Sequence, residues 1–594
     1  MKKLIGAPIY TDRKGVVETS KALLRSNHCK VLIPFLVWVS FGLVHVGETH
    51  AQISPEGRDR TYKQAAPSRF DRRFGSQPRP KSKVVPVKPK SKAPLFPDEL
   101  EEVKFILKRL FIKGTTIYDK RDLKSIYKKF LRKELTLRQI YEIAQQITNK
   151  YRNDGYILSK AIVPPQKIHD GAVHIQVIEG YIDKVKIQGP VRGPRKLLNA
   201  YRKKILKSRP LRSLVLERYL LLIDDLPGVT AKSVLTPSEV NPGATSLTMV
   251  LTDKAFEGYV ATDNRGSEFN GPYEFSSGVT ANSLLGGYGR TGITGVVTSQ
   301  TEELFFLNAF YDLPVSREGT RLFFSGSLSR SEPGSSLQRF DVEGDSSTIA
   351  LRLTHPFIRS RGENLTGHFG FTVRNSTTNI LGSLDSEDRL RVMELGVAYD
   401  FADEYRGINL LRFNLGQGLN MFDATEPGSS NLSRTLGKSN FTKLTGDVMR
   451  LQNLAPGWAL LGAASWQYSL DKLLASEEFG VGGAQYGRAY DSSEITGDQG
   501  LAFKVELQKA LRPEWEYLSD FQLYGFMDYG AVWNKVKTST GAKNQSRTSM
   551  GLGMRFNLTD SISSYAELDK PISDNVAAEG NKGPRFFFSL SKRF

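Results

Sequence analysis

"MELGVAYDF", residues 393 to 401, sets Met393, Leu395, Val397, Tyr399 and Phe401 against Glu394, Gly396, Ala398 and Asp400. Successive side chains of a strand point to opposite faces, so one face here is apolar and the other polar or small. The ladder returns at Leu411, Phe413, Leu415, at Leu501, Phe503, Val505, Leu507, at Phe521, Leu523, Gly525, Met527 and at Met550, Leu552, Met554, Phe556. Turn-rich stretches such as "SEPGSS" and "TEPGSSN" lie between them. Residues 255 to 594 therefore read as strand after antiparallel strand.

So many strands do not stay in one open twisted sheet, which curls, splits or closes. Closure removes the exposed edges. The stretch "RFFFSLSKRF", residues 585 to 594, puts Phe586, Phe588 and Leu590 on one face and Ser589, Ser591 and Arg593 on the other. It reads as the closing strand of a barrel, paired as far as Phe594. An apolar outer face with aromatics near strand ends places that barrel in an outer membrane, with lipid as its solvent. At about 20 residues per strand and connection, the span predicts roughly 16 strands. A soluble propeller, the competing reading, would show a blade repeat of about 40 to 45 residues, and none is visible.

Bulk composition agrees with this and excludes other classes. The chain has 594 residues, 39% hydrophobic and 24% charged, an ordinary globular balance. A mean hydropathy of −0.33 and the lack of an 18-residue apolar run beyond the N-terminal region exclude a bundle of membrane helices, though not a barrel. Residues 1 to 254 hold 49 Lys/Arg and 23 Asp/Glu, whereas residues 255 to 594 hold 33 and 39. The basic excess thus belongs to the first part, where it suits anionic headgroups, nucleic acid or an acidic polypeptide, or is simply a set of solvated faces. Cys29 is the sole cysteine, which excludes an intrachain disulfide and a Cys-based zinc site. The seven histidines have no ligand spacing, so neither a metal nor a cofactor is expected.

Residues 1 to 51 read as a secretory signal, with basic residues ahead of "VLIPFLVWVSFGLVHV" (31 to 46) and a cut after Ala51; the alternative is a single membrane anchor, and either way the rest of the chain leaves the cytoplasm. Residues 52 to 102 form a basic, Pro-rich linker with a short helix expected around 58 to 66. From 103 to 180 the pattern runs strand "VKFILKRLFIKG", basic helix "DKRDLKSIYKKF", a helix opened by Thr136 and Gln139 in capping-box spacing and stopped at Gly155, then strands "LSKAIVPPQ" and "GAVHIQVIEG". Residues 181 to 254 repeat that order, which makes a tandem pair of β-α-α-β-β units. Such units have sheet edges able to accept an extended peptide as an added strand. Their basic residues, including Lys124, Lys128, Lys129, Arg202, Lys203 and Lys204, are candidates to steer an acidic partner.

"GVGGAQYGRAYDSSEITGDQG", residues 480 to 500, is too long and polar for a plain hairpin turn. Its glycines let it fold tightly, so it can turn inward and carry Arg488 into the lumen. There Arg488 needs a partner, and "FMDYGAVWN" supplies Asp528, which alternates with Met527 and faces the lumen.

These features together resemble the two-partner secretion transporters of the haemolysin-activator type (TpsB), within the barrel-assembly superfamily. The resemblance covers residues 103 to 594 and rests on the two units of POTRA type, the terminal Phe594, the loop stretch "GRAYDSSEITGDQG" and "FMDYGAVW". It implies a β-barrel membrane protein with two N-terminal periplasmic α+β POTRA-like domains in a Gram-negative outer membrane. It implies that these domains capture an unfolded TpsA-type exoprotein of the haemolysin or adhesin kind, which the barrel passes outward as a monomer without a nucleotide. It also implies that Arg488 is locked to Asp528, with Gly487 and Tyr490 in the same motif. Ala489 stands where many members have Gly, and the segment matching the family's plug helix carries little helical pattern. A barrel-assembly insertase and a passive porin are the alternatives. No Gly-x-Ser-x-Gly elbow and no phosphate loop occur, so no catalytic role is expected, and the resemblance implies no nucleic-acid partner.

Overall fold

The computed structural model describes residues 66, 69–74, 80, 81, 103–241, 243–511, 518, 520–536 and 543–594. The expected signal, and the expected helix at 58 to 66 apart from Ala66, lie outside them. Within the linker a different short helix, Phe70–Phe74, is present.

In the first unit Thr136 caps the helix Leu137–Asn153, accepting from the Gln139 backbone while the Gln139 side chain accepts from Thr136 N–H. Ile140, Ile143, Ala144, Ile147 and Tyr151 bury one face of that helix against Val173, Ile175 and Val177 of the strand Ala172–Ile178. Gly155 takes φ +91° just beyond the helix, a left-handed position that favours glycine. The sheet is completed by Arg109–Lys113, parallel to the central strand, and Lys160–Ile162, antiparallel to it. The expected first strand is broken in two. Lys104–Ile106 pairs instead with Glu134–Thr136, and Leu107, fully buried, bonds to the backbone of Lys133 and Arg132 as the chain steps between sheets.

The second unit repeats the topology. Tyr181–Gln188 runs parallel to Ala244–Asp253, which pairs antiparallel with Val229–Pro237, and helices Arg195–Lys207 and Ser213–Asp224 cover one face. Tyr288, from the barrel turn between strands Glu274–Asn282 and Arg290–Thr298, is fully buried in this unit's core.

Sixteen antiparallel strands, from Phe256–Asp263 to Arg585–Arg593, close into a barrel. The closing strand pairs with Ile562–Pro571 on one side and with the first strand on the other. Phe594 extends that pairing: its N–H donates to Gly258 O at 3.0 Å and its carbonyl accepts from Gly258 N–H at 3.0 Å. The apolar side of each ladder faces outward. Leu395 is 61% and Leu552 71% exposed, and Met393, Phe413, Leu501 and Met550 share that face, which is stable only against lipid. Trp458 starts one strand and Trp533 ends another, both on the outside, where the aromatic girdles of such barrels sit.

Candidate functional site

The loop at 480–500 turns into the barrel. Its two stems, Phe479–Val481 and Ile495–Gly497, form a short antiparallel pair, and Val481, Tyr486 and Ile495 pack on the wall residues Ala502 and Val532. The wall makes room for it, since a Cβ at Gly530 would lie 2.4 Å from Val481. Gly487 turns the tip with φ +80°, and its carbonyl accepts from Tyr490 N–H at 2.9 Å. Positive φ in the loop falls on Gly482, Gly483, Gly487 and Ser493. Ala489 has none and is fully buried, so alanine fits there without strain.

Arg488 is 3% exposed and Asp528 0%. Nε donates to Asp528 Oδ2 at 3.0 Å and Nη2 to Oδ1 at 2.9 Å, and the Arg488 backbone N–H adds a third bond at 3.1 Å. The fork of guanidinium donors matches the two carboxylate oxygens, which fixes orientation as well as adding energy. Nη1 reaches Glu506 Oε2 at 2.7 Å, and the guanidinium carbon lies 3.3 Å from the Phe526 ring centroid. Glu506 is shared with Arg555, at 2.7 and 3.1 Å. Glu567 Oε2 lies 3.8 Å from Arg488 Nη1 and Glu567 Oε1 2.5 Å from Arg265 Nη2. A buried guanidinium is thus enclosed by several carboxylates, and removing one partner would leave a buried charge at a cost of about 3 to 5 kcal/mol.

Tyr490 is buried beside it, its hydroxyl 3.1 Å from Asp574 O and 3.2 Å from Ser573 Oγ in the connection before the closing strand. At the base of the loop, Arg434 binds Asp498 at 2.6 Å and Glu478 at 3.0 Å. Glu478 also accepts from Arg69 at 2.8 Å. The helix Phe70–Phe74 follows directly, with Phe74 against Phe306 (centroids 5.2 Å apart) and Arg73 bonded to Glu274 on the first strands of the barrel. A short helix is therefore held inside the lumen.

Glu506, Glu567, Arg555 and Phe526 were not singled out from the sequence. Each lies at lumen parity in its ladder, and that parity was the available signal. The six basic candidates lie on helices of the two N-terminal units. Lys124, Lys128, Lys129, Arg202 and Lys203 are exposed on the two units. Lys204 is 2.5 Å from Glu318 in a barrel turn and so engages the barrel itself.

A family profile described as haemolysin secretion/activation protein ShlB/FhaC/HecB matches residues 248–556. The chain belongs to this family. A POTRA domain of ShlB type matches residues 105–180. The heme/hemopexin transporter protein HuxB of Haemophilus influenzae (strain 86-028NP) is 24% identical over 513 residues, 85% of this chain and 90% of that protein. The outer membrane transporter CdiB of Dickeya dadantii (strain 3937) is 24% identical over 426 residues, 70% of this chain and 74% of that protein. Among solved structures, CdiB from Escherichia coli superposes with a TM-score of 0.68 at 18% identity, covering 92% of this chain and all of that one; the fold is shared. As a ShlB/FhaC/HecB member, the chain is a two-partner secretion transporter of the Gram-negative outer membrane with its N-terminal units in the periplasm. The insertase and porin readings are not favoured.

Proposed function

We propose that the two periplasmic units capture an unfolded secreted exoprotein of TpsA type and feed it to the barrel, whose lumen opens when the 480–500 loop is rearranged. The observation that carries this reading is the loop itself: it enters the lumen, packs on the wall and is anchored at its tip by Arg488 on Asp528 and Glu506. The lock is a positioning device, and the chain is assigned no catalytic role, in keeping with a family of transporters.

The exposed Lys124, Lys128, Lys129, Arg202 and Lys203 steer acidic segments of the exoprotein by long-range attraction. The outer-membrane lipid contacts the Leu395 and Leu552 face. One chain closes the barrel without a second copy, in keeping with a monomer. Replacing Arg488 by Ala or Asp528 by Asn should leave a heat-modifiable, inserted barrel and abolish export. Normal export by both variants would refute the lock.

A further inference from the structure

Arg265 and Arg585 reach the locked loop from opposite sides of the barrel's closing seam. The first strand, Phe256–Asp263, and the closing strand share five register pairs, Tyr259 to Asp263 against Arg593 to Ser589. The closing strand and its other neighbour share eight, Ile562 to Asp569 against Lys592 to Arg585. Beyond Asp263 the seam continues through Asn264, whose backbone N–H donates to Phe588 O at 3.4 Å and whose side chain adds two bonds. Asn264 Nδ2 donates to Phe586 O at 2.8 Å, and Asn264 Oδ1 accepts from Phe588 N–H at 2.7 Å. The side-chain amide of Asn264 thus extends the seam's pairing by two bonds.

The next residue, Arg265, turns inward and is buried, with its side chain 10% exposed. Its guanidinium lies 3.8 Å from the Phe587 ring centroid on the closing strand. Nε donates to Tyr565 Oη at 3.2 Å and Nη2 to Glu567 Oε1 at 2.5 Å, while Nη1 donates to the backbone carbonyl of Arg488 at 2.8 Å. Arg585, on the closing strand, has its guanidinium carbon 5.0 Å from the same Phe587 ring. It donates through Nη1 to the carbonyl of Ala489 at 3.0 Å and through Nη2 to Asp491 at 2.7 Å. Two arginines, one on each side of the seam, therefore hold consecutive carbonyls of the loop tip. Arg73, from the lumen helix, donates to the carbonyl of Arg265 at 2.9 Å, so that helix meets the same point.

We infer that Arg265 and Arg585 are positioning residues that join the Arg488 lock to the first-to-last-strand seam, so that the loop braces the seam and the seam holds the loop. The inference rests on the proposed role of the loop. A seam paired over a few residues gains rigidity from a loop strapped across it, and a loop carbonyl with a charged donor is held more firmly than one facing water. The loop then cannot leave without loosening the seam.

The test needs no exported partner. In the full-length chain with Cys29 replaced by Ser, Ala489→Cys is introduced into the buried tip. Its labelling by a membrane-impermeant maleimide is followed on intact cells, together with the temperature at which the folded barrel band is lost in detergent gels. Asp528→Asn and Arg265→Ala should each raise the labelling rate about tenfold, the scale of losing a charge-assisted bond. Arg265→Lys, which keeps a charged donor on a single nitrogen, should restore part of the slow labelling. Arg265→Ala and Asp528→Asn should each lower the melting temperature of the band, and the double variant should lower it by less than the sum of the two. Should the Ala variant not insert, Arg585→Gln removes the other half of the brace and is read in the same way. Fast labelling in Asp528→Asn with unchanged labelling in Arg265→Ala or Arg585→Gln would overturn the brace and leave the lock standing. Unchanged labelling in Asp528→Asn alone would refute the lock and leave the brace. Strictly additive melting shifts would also overturn the brace.

Discussion

Asp225 accepts two hydrogen bonds from Arg359, from Nε at 2.8 Å and Nη2 at 2.9 Å, and so fastens the second periplasmic unit to a barrel turn. Arg218 adds bonds to the carbonyls of Pro356, Phe357 and Glu318, and Tyr288 inserts from another turn. Burial alone would raise the Asp225 pKa, but the Arg359 bonds and the nearby Lys81 and Arg321 charges outweigh it and hold the carboxyl below its ordinary value. A depressed folded pKa adds stability that is fully present above the unfolded value of about 3.9 and is lost as pH falls through the folded one. Spin-label distances between this unit and the barrel should therefore stay narrow from neutral pH down to about 4 and broaden below it. Asp225→Asn should already be broad at neutral pH; an unchanged narrow distribution there would contradict the docking role.

The carboxylates around Arg488 are unequal, and their replacement should grade accordingly. Asp528→Asn removes the two-oxygen partner, whereas Glu506→Gln leaves Asp528 in place and only weakens the hold on Arg555, which keeps Gln522 and the Tyr524 ring. Loop release, measured by protease access to the 480–500 segment in detergent, should be greater for Asp528→Asn than for Glu506→Gln. The reverse order would mean that Glu506, not Asp528, carries the anchor.

Much of this was legible before the structure. Thr136 and Gln139 marked a helix start because capping is local chemistry, and Gly155 marked its end for the same reason. The parity of Met527 placed Asp528 in the lumen because strand alternation is local too. What was hidden depends on partners distant in sequence. "VKFILKRLFIKG" reads as one strand, yet Leu107 leaves one sheet for another because its backbone partners are Lys133 and Arg132. The helix at Phe70–Phe74 has five residues, too few for a periodic signal. Glu506, Glu567, Arg265 and Arg585 face inward by parity, but which of them meet Arg488 depends on the path of a loop that alternation does not describe.

Ile147 is fully buried in the first unit, packed with Val173, Ile175 and Tyr151. Ile147→Ala should destabilise that unit by about 2 to 5 kcal/mol, whereas Thr136→Ala should cost only about 1 kcal/mol through the lost cap. Urea denaturation of a fragment spanning residues 103 to 254 measures both; a cap variant as costly as the core variant would contradict this ranking.

Phe594 closes the first strand by two backbone bonds to Gly258, and its ring lies where a Cβ on Gly258 would sit, 2.4 Å away. Gly258→Val should therefore push the ring off and lower the fraction of folded barrel in membranes. Phe594→Ala keeps the backbone bonds and should be milder. Equal losses would show that the ring and not the backbone pairing is decisive.

The central claim is that this barrel exports a partner only when its loop can lock. Proteins in the culture medium can be compared among cells carrying the intact gene, cells lacking it and cells carrying Arg488→Ala. The account predicts at least one secreted protein present with the intact gene and missing from the other two. Identical media in all three would contradict it.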